Sequence, residues 1–171
     1  MESKLFKVSS SPHIRANNDT QTIMQDVALA LLPATLFGIY NFGLKAGFIV
    51  LLSVLACVLS EWAFQYILKR PITISDRSAV VTGLLLGLIL PPDVPYWIPV
   101  IGGVFAIVIV KQLYGGVGQN FVNPAITARI FLSIAYVGHL STYTLDGVTS
   151  ATPLAVLKAG EEGVGLGSLI W

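Results

Sequence analysis

The sequence predicts an all-α membrane protein, a multi-pass helical bundle of about five spans in which some helices are short or broken. Hydrophobic residues make up 54% of the chain and charged residues 11%, whereas soluble domains average about 45–50% and about 25%. The mean hydropathy is +0.77. Apolar stretches also recur at lengths close to those needed to cross the hydrocarbon core of a bilayer, which is about 30 Å thick.

Two long apolar stretches predict the first two membrane helices. Residues 27–42 carry no charge, and residues 46–68 carry only Glu61 before the chain reaches Lys69. At a rise of about 1.5 Å per residue both approach the thickness of the hydrocarbon core. Residues 43–45 are expected to form a short connection, so that the two helices make a tight hairpin.

The next two helices are predicted to be short or interrupted. Residues 78–90 would reach only about 20 Å as a helix before two prolines stop it. Residues 95–114 form a fourth helix, with aromatic anchors at its start and Lys111 near its end. Pro99 and the following pair of glycines are expected to kink this helix or to permit close packing.

A fifth helix is predicted to begin at Asn123-Pro124, a favourable N-cap and first-turn pair, and to run to about residue 137. The glycine-rich residues 115–120 before it are too polar and flexible to face lipid. Short, interrupted membrane segments usually surround a site, because their exposed backbone must be buried in protein or line a cavity. The alternative is a locally kinked bundle without a ligand.

Orientation follows from the distribution of basic residues. With the amino terminus in the cytoplasm, Lys45 and Lys158 lie outside, and seven bases lie inside: Lys4, Lys7, Arg15, Lys69, Arg70, Arg77 and Lys111. We therefore expect residues 1–22, which lack the apolar core of a signal peptide, to form a retained cytoplasmic segment. Residues 23–138 are assigned to the transmembrane bundle and residues 139–171 to an external segment.

Charge and cysteine content exclude several classes of function. Nine acidic and ten basic residues nearly cancel, and the bases form no stripe, so a nucleic-acid partner is not expected. The single cysteine, Cys57, cannot supply the roughly four ligands of an iron–sulfur cluster. Neither His13 nor His139 has the company of other metal ligands, so a redox centre in this chain would have to be organic.

A patch of hydroxyl side chains in the external segment is the main candidate site. Thr149, Ser150 and Thr152 follow Asp146-Gly147 closely. Most such loops use their hydroxyls to satisfy nearby backbone groups around a turn. The other interpretation is that a group is attached to one of these hydroxyls.

Several motifs of the chain occur together in one known family. They are Ser11-Pro12-His13-Ile14-Arg15, Gly115-Gly116-Val117-Gly118-Gln119-Asn120, Asn123-Pro124-Ala125 with Arg129, and Asp146-Gly147-Val148-Thr149-Ser150-Ala151-Thr152. From about residue 11 to the end, the chain resembles the D subunit of the Rnf complex and its relative, the B subunit of the sodium-pumping NADH:quinone reductase.

The resemblance implies a covalent flavin. In the family, flavin mononucleotide (FMN) is joined through its phosphate to the last threonine of a Ser/Thr-Gly-Ala-Thr motif, which corresponds to Thr152. Ser150 stands where the motif often has glycine. Asp146, Thr149 and Ser150 are neighbours of the attachment point, and the two hydroxyl residues among them are alternative acceptors on chemical grounds alone.

The resemblance also implies a setting. The chain would relay electrons in an ion-translocating ferredoxin:NAD oxidoreductase of a bacterial or archaeal plasma membrane, coupled to Na⁺ or H⁺ transport, without being catalytic alone. Its partners would be membrane lipid, other membrane and peripheral subunits with iron–sulfur clusters and flavins, and a flavin transferase acting outside. Since family members are longer, the chain would be one half of an inverted-repeat architecture. The alternatives are a small-solute channel or transporter of urea-transporter-like fold, and a structural membrane subunit without cofactor.

Polar residues within the spans have two interpretations each. Asn120, Asn123 and Arg129 would hold a second, non-covalent flavin or line an ion route. Alternatively, Asn123 simply caps its helix, and Arg129 extends its charge to the interface. Glu61 either lines a cation path or forms an interhelical salt bridge.

Overall fold

The computed structural model describes residues 20–69 and 74–140, together with the backbone of two strands, Tyr143–Leu145 and Val148–Ser150. Residues 1–19 of the predicted cytoplasmic segment lie outside this part of the chain. Two predicted site residues, Asp146 and Thr152, also lie outside it. Within it the protein is a bundle of helices.

The first two helices are long enough to cross a membrane. Helix α1 spans Thr20–Phe42 and helix α2 spans Leu44–Ile67, and both are apolar enough in composition to be membrane spans. Gly43 alone separates them, with a φ of 76° that glycine adopts without steric cost. The connection is therefore shorter than the three residues expected, and the predicted hairpin is confirmed.

The third helix is short, as predicted. A single 3-10 turn at Ile74–Asp76 leads into helix α3, Ser78–Ile89. Its 12 residues rise only about 18 Å at about 1.5 Å per residue, less than the hydrocarbon core of a bilayer. Helix α3 is also among the most enclosed elements of the bundle, with eight of its residues buried.

The fourth helix is broken in an unexpected way. It begins as α4, Trp97–Val104, and continues as a π-helical segment, Phe105–Gln112. Of the two expectations for Pro99 and Gly102-Gly103, close packing is found at the glycines: an added Cβ would lie 2.7 Å from Cδ1 of Leu132 at Gly102 and 2.9 Å from Cβ of Ala56 at Gly103. The hydrogen-bond ladder changes from i→i+4 to i→i+5 directly after Val104. This change of ladder was not predicted from the sequence.

The chain then passes through a glycine-rich loop into the fifth helix. Helix α5 spans Pro124–Ala135, and Oδ1 of Asn123 accepts a hydrogen bond from the backbone N–H of Ala125 at 3.0 Å. The predicted cap and first-turn proline are therefore confirmed. A single further turn, α6, spans Val137–Leu140.

A two-stranded antiparallel hairpin follows α6, and it was not predicted. Strand β1 is Tyr143–Leu145 and strand β2 is Val148–Ser150, with Tyr143 opposite Ser150 and Leu145 opposite Val148. Asp-Gly between two runs of strand-forming residues is a strong hairpin signal, and the sequence contains it. The fold class, an all-α membrane protein, is confirmed with this small addition.

Helix α2 lies at the centre of the bundle, and glycines let its neighbours approach closely. A Cβ added at Gly83 of α3 would lie 2.5 Å from Cα of Val54, and one at Gly87 would lie 2.7 Å from Cα of Val50. At Gly103 of α4 it would lie 2.9 Å from Cβ of Ala56. The spacing of Gly83 and Gly87 is the small-xxx-small pattern of closely packed membrane helices.

The apolar core lies beside this contact and joins α2, α3, α4 and α5. Its largest cluster of buried residues is Ile49, Leu86, Leu90, Val94, Ile98, Ala106, Ala125, Ala128, Leu132 and Leu140. Phe105 and Phe131 stack in parallel against it, with ring centroids 4.0 Å apart. The core therefore fixes α5 and the fourth helix relative to α3.

Replacement of Gly83 by alanine tests the close approach of α3 to α2. We expect Gly83→Ala to lower the free energy of unfolding by about 1–3 kcal/mol, the usual cost of overpacking, because the new methyl group meets the α2 backbone. Gly38→Ala in α1 is the matched control, since nothing lies within 4 Å of an added Cβ there. The midpoint of thermal unfolding of the purified full-length protein measures both, and equal midpoints for the two variants would contradict this packing.

Candidate functional site

A buried ion pair joins α2 to the end of the π segment. Nζ of Lys111 lies 2.7 Å from Oε1 of Glu61, and the two side chains are 3% and 1% exposed. Burial of two charges is costly unless they are paired and further hydrogen-bonded. Both conditions are met here.

The pair belongs to a polar network that spans three elements. Lys111 also donates to Oγ of Ser78, at the start of α3, at 2.7 Å. Gln112 donates through Nε2 to Oε1 of Glu61 at 2.8 Å, and Gln65, one turn along α2, donates to the same oxygen at 3.4 Å. We refer to Glu61, Gln65, Ser78, Lys111 and Gln112 as the polar network.

One acceptor of the polar network has no partner. Oε2 of Glu61 is buried and receives no hydrogen bond from the described residues. A buried carboxylate oxygen without a donor costs free energy. The carboxylate of Glu61 therefore does not use its full hydrogen-bonding capacity among the described residues.

The π segment places two consecutive polar side chains of the network at its end. Its last i→i+5 bond runs from the N–H of Leu113 to the carbonyl of Val108. The helix then ends in a Schellman motif at Gly115, in which the N–H of Gly116 donates to the carbonyl of Lys111 and the N–H of Gly115 to that of Gln112. π turns occur often at functional sites, and here the turn carries Lys111 and Gln112 to one carboxylate.

The structure corrects the expected position of Lys111 and distinguishes between the two interpretations of Glu61. Lys111 was expected to lie at the membrane interface as one of the cytoplasmic bases, but it is only 2% exposed, because its partner Glu61 lies on a neighbouring helix inside the bundle. For Glu61 itself, the interhelical salt bridge is the observed arrangement. Counting charges along a sequence cannot detect a partner 50 residues away.

A cavity of about 240 Å³ lies beside the polar network. Its polar lining comes from Ser78, Thr82, Lys111, Asn120 and Asn123, and its apolar lining includes Met24, Val81, Leu85, Val117 and Pro124. The structure thus brings two of the predicted site residues, Asn120 and Asn123, to the same cavity. Sequence reasoning missed Ser78, Thr82 and Lys111 as lining residues.

The loop that forms one wall of this cavity depends on glycine. Gly115, Gly116 and Gly118 have φ values of 111°, 99° and 85°, a range that other residues rarely adopt. The loop leads to Asn120, whose Nδ2 donates to the carbonyl of Val122 at 3.2 Å. The side chain of Asn120 is therefore held in place at the cavity wall.

Arg129 does not lie at this cavity. It is half-buried on α5, five residues after Pro124, and successive residues of a helix are rotated by about 100°. Its side chain therefore leaves the helix roughly 140° away from that of Pro124, which lines the cavity. The predicted grouping of Arg129 with Asn120 and Asn123 is not found.

The hydroxyl patch is described only in part. Thr149 and Ser150 belong to β2, while Asp146 and Thr152 lie outside the described residues. Within the parts of the chain that the structure describes, no group of three or more His, Cys, Asp or Glu side chains is arranged to hold a metal ion.

Removal of Lys111 tests the energetic importance of the buried pair. We expect Lys111→Met to lower the free energy of unfolding by about 3–5 kcal/mol, because it leaves the Glu61 carboxylate buried and unpaired. Lys45→Met is the matched control, because it breaks an exposed ion pair. Nζ of Lys45 lies 3.3 Å from Oδ1 of Asp93, and the two side chains are 45% and 54% exposed. Loss of this pair should lower the free energy of unfolding by only about 0–1 kcal/mol.

Chemical denaturation of the full-length protein in detergent measures these costs. The double variant with Glu61→Gln and Lys111→Met should recover part of the loss, since it removes the unpaired charge. Equal costs for the buried and the exposed pair would show that the Lys111–Glu61 pair is not buried as described.

Comparison with known proteins identifies the family. The model of the NQR2, RnfD, RnfE family matches residues 7–171. The D subunit of the Na⁺-translocating ferredoxin:NAD⁺ oxidoreductase complex of Acetobacterium woodii is 54% identical over 160 residues, which cover 91% of this chain and 50% of the relative.

Two further relatives support the match. The D subunit of the proton-translocating ferredoxin:NAD⁺ oxidoreductase complex of Clostridium ljungdahlii is 41% identical, over 92% of this chain and 50% of the relative. The D subunit of the ion-translocating oxidoreductase complex of Shewanella piezotolerans is 42% identical, over 87% of this chain and 43% of the relative. The chain spans about half the length of the curated relatives that it matches. The resemblance seen in the sequence motifs is confirmed, and the chain belongs to the NQR2, RnfD, RnfE family.

Proposed function

We propose that this chain is part of a membrane subunit that carries covalent FMN on Thr152 and relays electrons in an Rnf-type ferredoxin:NAD oxidoreductase complex. The observation that carries the proposal is the 54% identity with the D subunit of such a complex, extending over 91% of the chain. The relatives are named for Na⁺ in one case and for protons in another. We therefore propose coupling to cation transport, with Na⁺ or H⁺ as the ion.

The attachment of FMN is supported by the sequence and by the hairpin before it. Thr152 ends the Thr149-Ser150-Ala151-Thr152 stretch that resembles the attachment motif of the family. Ser150 pairs with Tyr143, only three residues after α6 ends at Leu140. Thr152 follows Ser150 by two residues in the sequence.

FMN would supply the redox chemistry, because a flavin accepts electrons singly or as a pair. The chain supplies attachment and position. Its single cysteine, Cys57, is buried and cannot hold an iron–sulfur cluster. The proposal therefore includes partner subunits with iron–sulfur clusters and flavins, and an external flavin transferase that modifies Thr152.

Substitution of Thr152 tests the attachment. We expect Thr152→Val to abolish the fluorescent flavin band of the denatured subunit, because valine keeps the shape of threonine but has no hydroxyl to esterify. Thr149→Val and Ser150→Ala are the matched controls and should keep the band. In-gel fluorescence and the intact mass of the subunit from its native host measure the outcome, and a band that persists in Thr152→Val rejects this site.

We also propose that the cavity beside the polar network holds the ring system of a second, non-covalent flavin. Its volume of about 240 Å³ is slightly below the roughly 300–1,000 Å³ of sites for whole drug-sized ligands, which suits the ring part of the molecule. Apolar walls would contact the ring faces, and Lys111 and Asn120 would offer hydrogen bonds to the polar edge of the ring. The buried ammonium group of Lys111 favours electron density at that edge.

Substitution of Asn120 tests the second flavin. We expect Asn120→Ala to reduce the non-covalent flavin released on denaturation by about tenfold or less, since one hydrogen bond contributes about 0.5–1.5 kcal/mol. Thr127→Val is the control, because Thr127 lies one turn along α5 from Asn123 and outside the cavity. Released flavin is quantified by chromatography from the purified complex, and an unchanged amount in Asn120→Ala would contradict the assignment.

A further inference from the structure

An open groove runs along the side of the bundle between α1, α2 and α3. It encloses about 410 Å³, within the roughly 300–1,000 Å³ of specific small-molecule sites. Three elements line it: Gln25, Ala28, Leu29 and Leu32 from α1, Gly47, Val50, Leu51 and Val54 from α2, and Arg77, Val80 and Leu84 at α3. We call this feature the lateral groove.

The walls of the lateral groove are apolar and accessible. Leu29, Leu32 and Leu51 are 54%, 45% and 53% exposed, although the opposite side of α2 is tightly packed against α3 and α4. Gly47 contributes no side chain to the groove, and a Cβ added there would lie 3.4 Å from the side chain of Ile39 of α1. Such a surface in a membrane protein is a favourable place for an acyl chain, because lipid tails are as apolar as leucine.

One end of the lateral groove is cationic. The side chain of Arg77 is exposed and donates a hydrogen bond to Oε1 of Gln25, which fixes it between α1 and α3. No described carboxylate pairs with it. Arg77 also directly precedes the first residue of α3, Ser78, and the amino end of a helix favours a negative charge.

We propose that the lateral groove binds one anionic phospholipid, with an acyl chain along the leucines and the phosphate on Arg77. Basic residues at the end of an apolar groove between membrane helices are a recognised arrangement for anionic head groups. A zwitterionic lipid such as phosphatidylcholine also carries a phosphate, but the cation of its own head group neutralises that charge, so it would compensate Arg77 less than an anionic lipid does. The guanidinium group of Arg77 is therefore the feature that favours an anionic lipid over a zwitterionic one.

A photoreactive lipid tests the proposal on the assembled complex. The complex is reconstituted with phosphatidylglycerol that carries a diazirine in its acyl chain, and labelled peptides are mapped by mass spectrometry. We expect labelling of residues 25–32 and 47–54, and less of it with a phosphatidylcholine probe of the same chains. A partner helix or a quinone seated in the groove would prevent labelling of these residues, and that result would overturn the proposal.

Two variants test the binding of the head group and of the acyl chain separately. Arg77→Gln should reduce labelling by phosphatidylglycerol about fivefold, the effect expected of one basic residue near the membrane surface, and should reduce phosphatidylcholine labelling less, because that lipid has no net charge. Lys69→Gln is its control, because Lys69 is an exposed base at the end of α2 and outside the groove. Equal labelling in Arg77→Gln and wild type would overturn the role of Arg77.

Ala28→Phe should reduce labelling by both probes, because the ring fills the groove. Ala30→Phe is its matched control, since Ala30 is exposed on the same helix and does not line the groove. Retained labelling in Ala28→Phe, or an equal loss in Ala30→Phe, would contradict a lipid in this groove. Circular dichroism of all four variants verifies that the complex remains folded.

Discussion

The close approach of α3 and α4 to α2 is the constraint on which the rest of the structure depends. It exists because glycine stands at three contact points, Gly83, Gly87 and Gly103, where a side chain would meet the facing helix. Small residues are the usual means by which membrane helices pack, since apolar surface alone gives no preference for protein over lipid. Without this approach the side chains of Lys111 and Glu61 would not come within bonding distance.

The polar network connects this packing to the candidate site. Glu61 on the central helix receives hydrogen bonds from the π segment, and Ser78 ties the start of α3 to the same ammonium group. The cavity borders this network, and a loop rich in positive-φ glycines forms one of its walls. Irregular backbone is therefore concentrated around the polar interior, the arrangement expected where non-helical chain must be buried in protein.

Features encoded by neighbouring residues were predictable from the sequence, and features that depend on distant residues were not. The hairpin at Gly43 and the cap at Asn123 follow from local chemistry, and the structure has both. The burial of Lys111 depends on a partner on another helix, so it is not readable locally, and the π segment was not predicted either. The β-hairpin is different: its Asp-Gly signal was present and was interpreted only as a turn. For the site, the asparagines were found by motif, whereas the lysine beside them was not.

The π segment has a consequence for how this region tolerates changes in length. Each of its turns holds about one residue more than an α-helical turn, so Phe105–Gln112 already accommodates surplus chain between Gly103, fixed against α2, and Lys111, fixed to Glu61. Loss of one residue can be absorbed when the wide turns relax into an ordinary helix. A gained residue has no such outlet, because the turns are already widened. Sequences that share this fold are therefore expected to shorten here more readily than they lengthen.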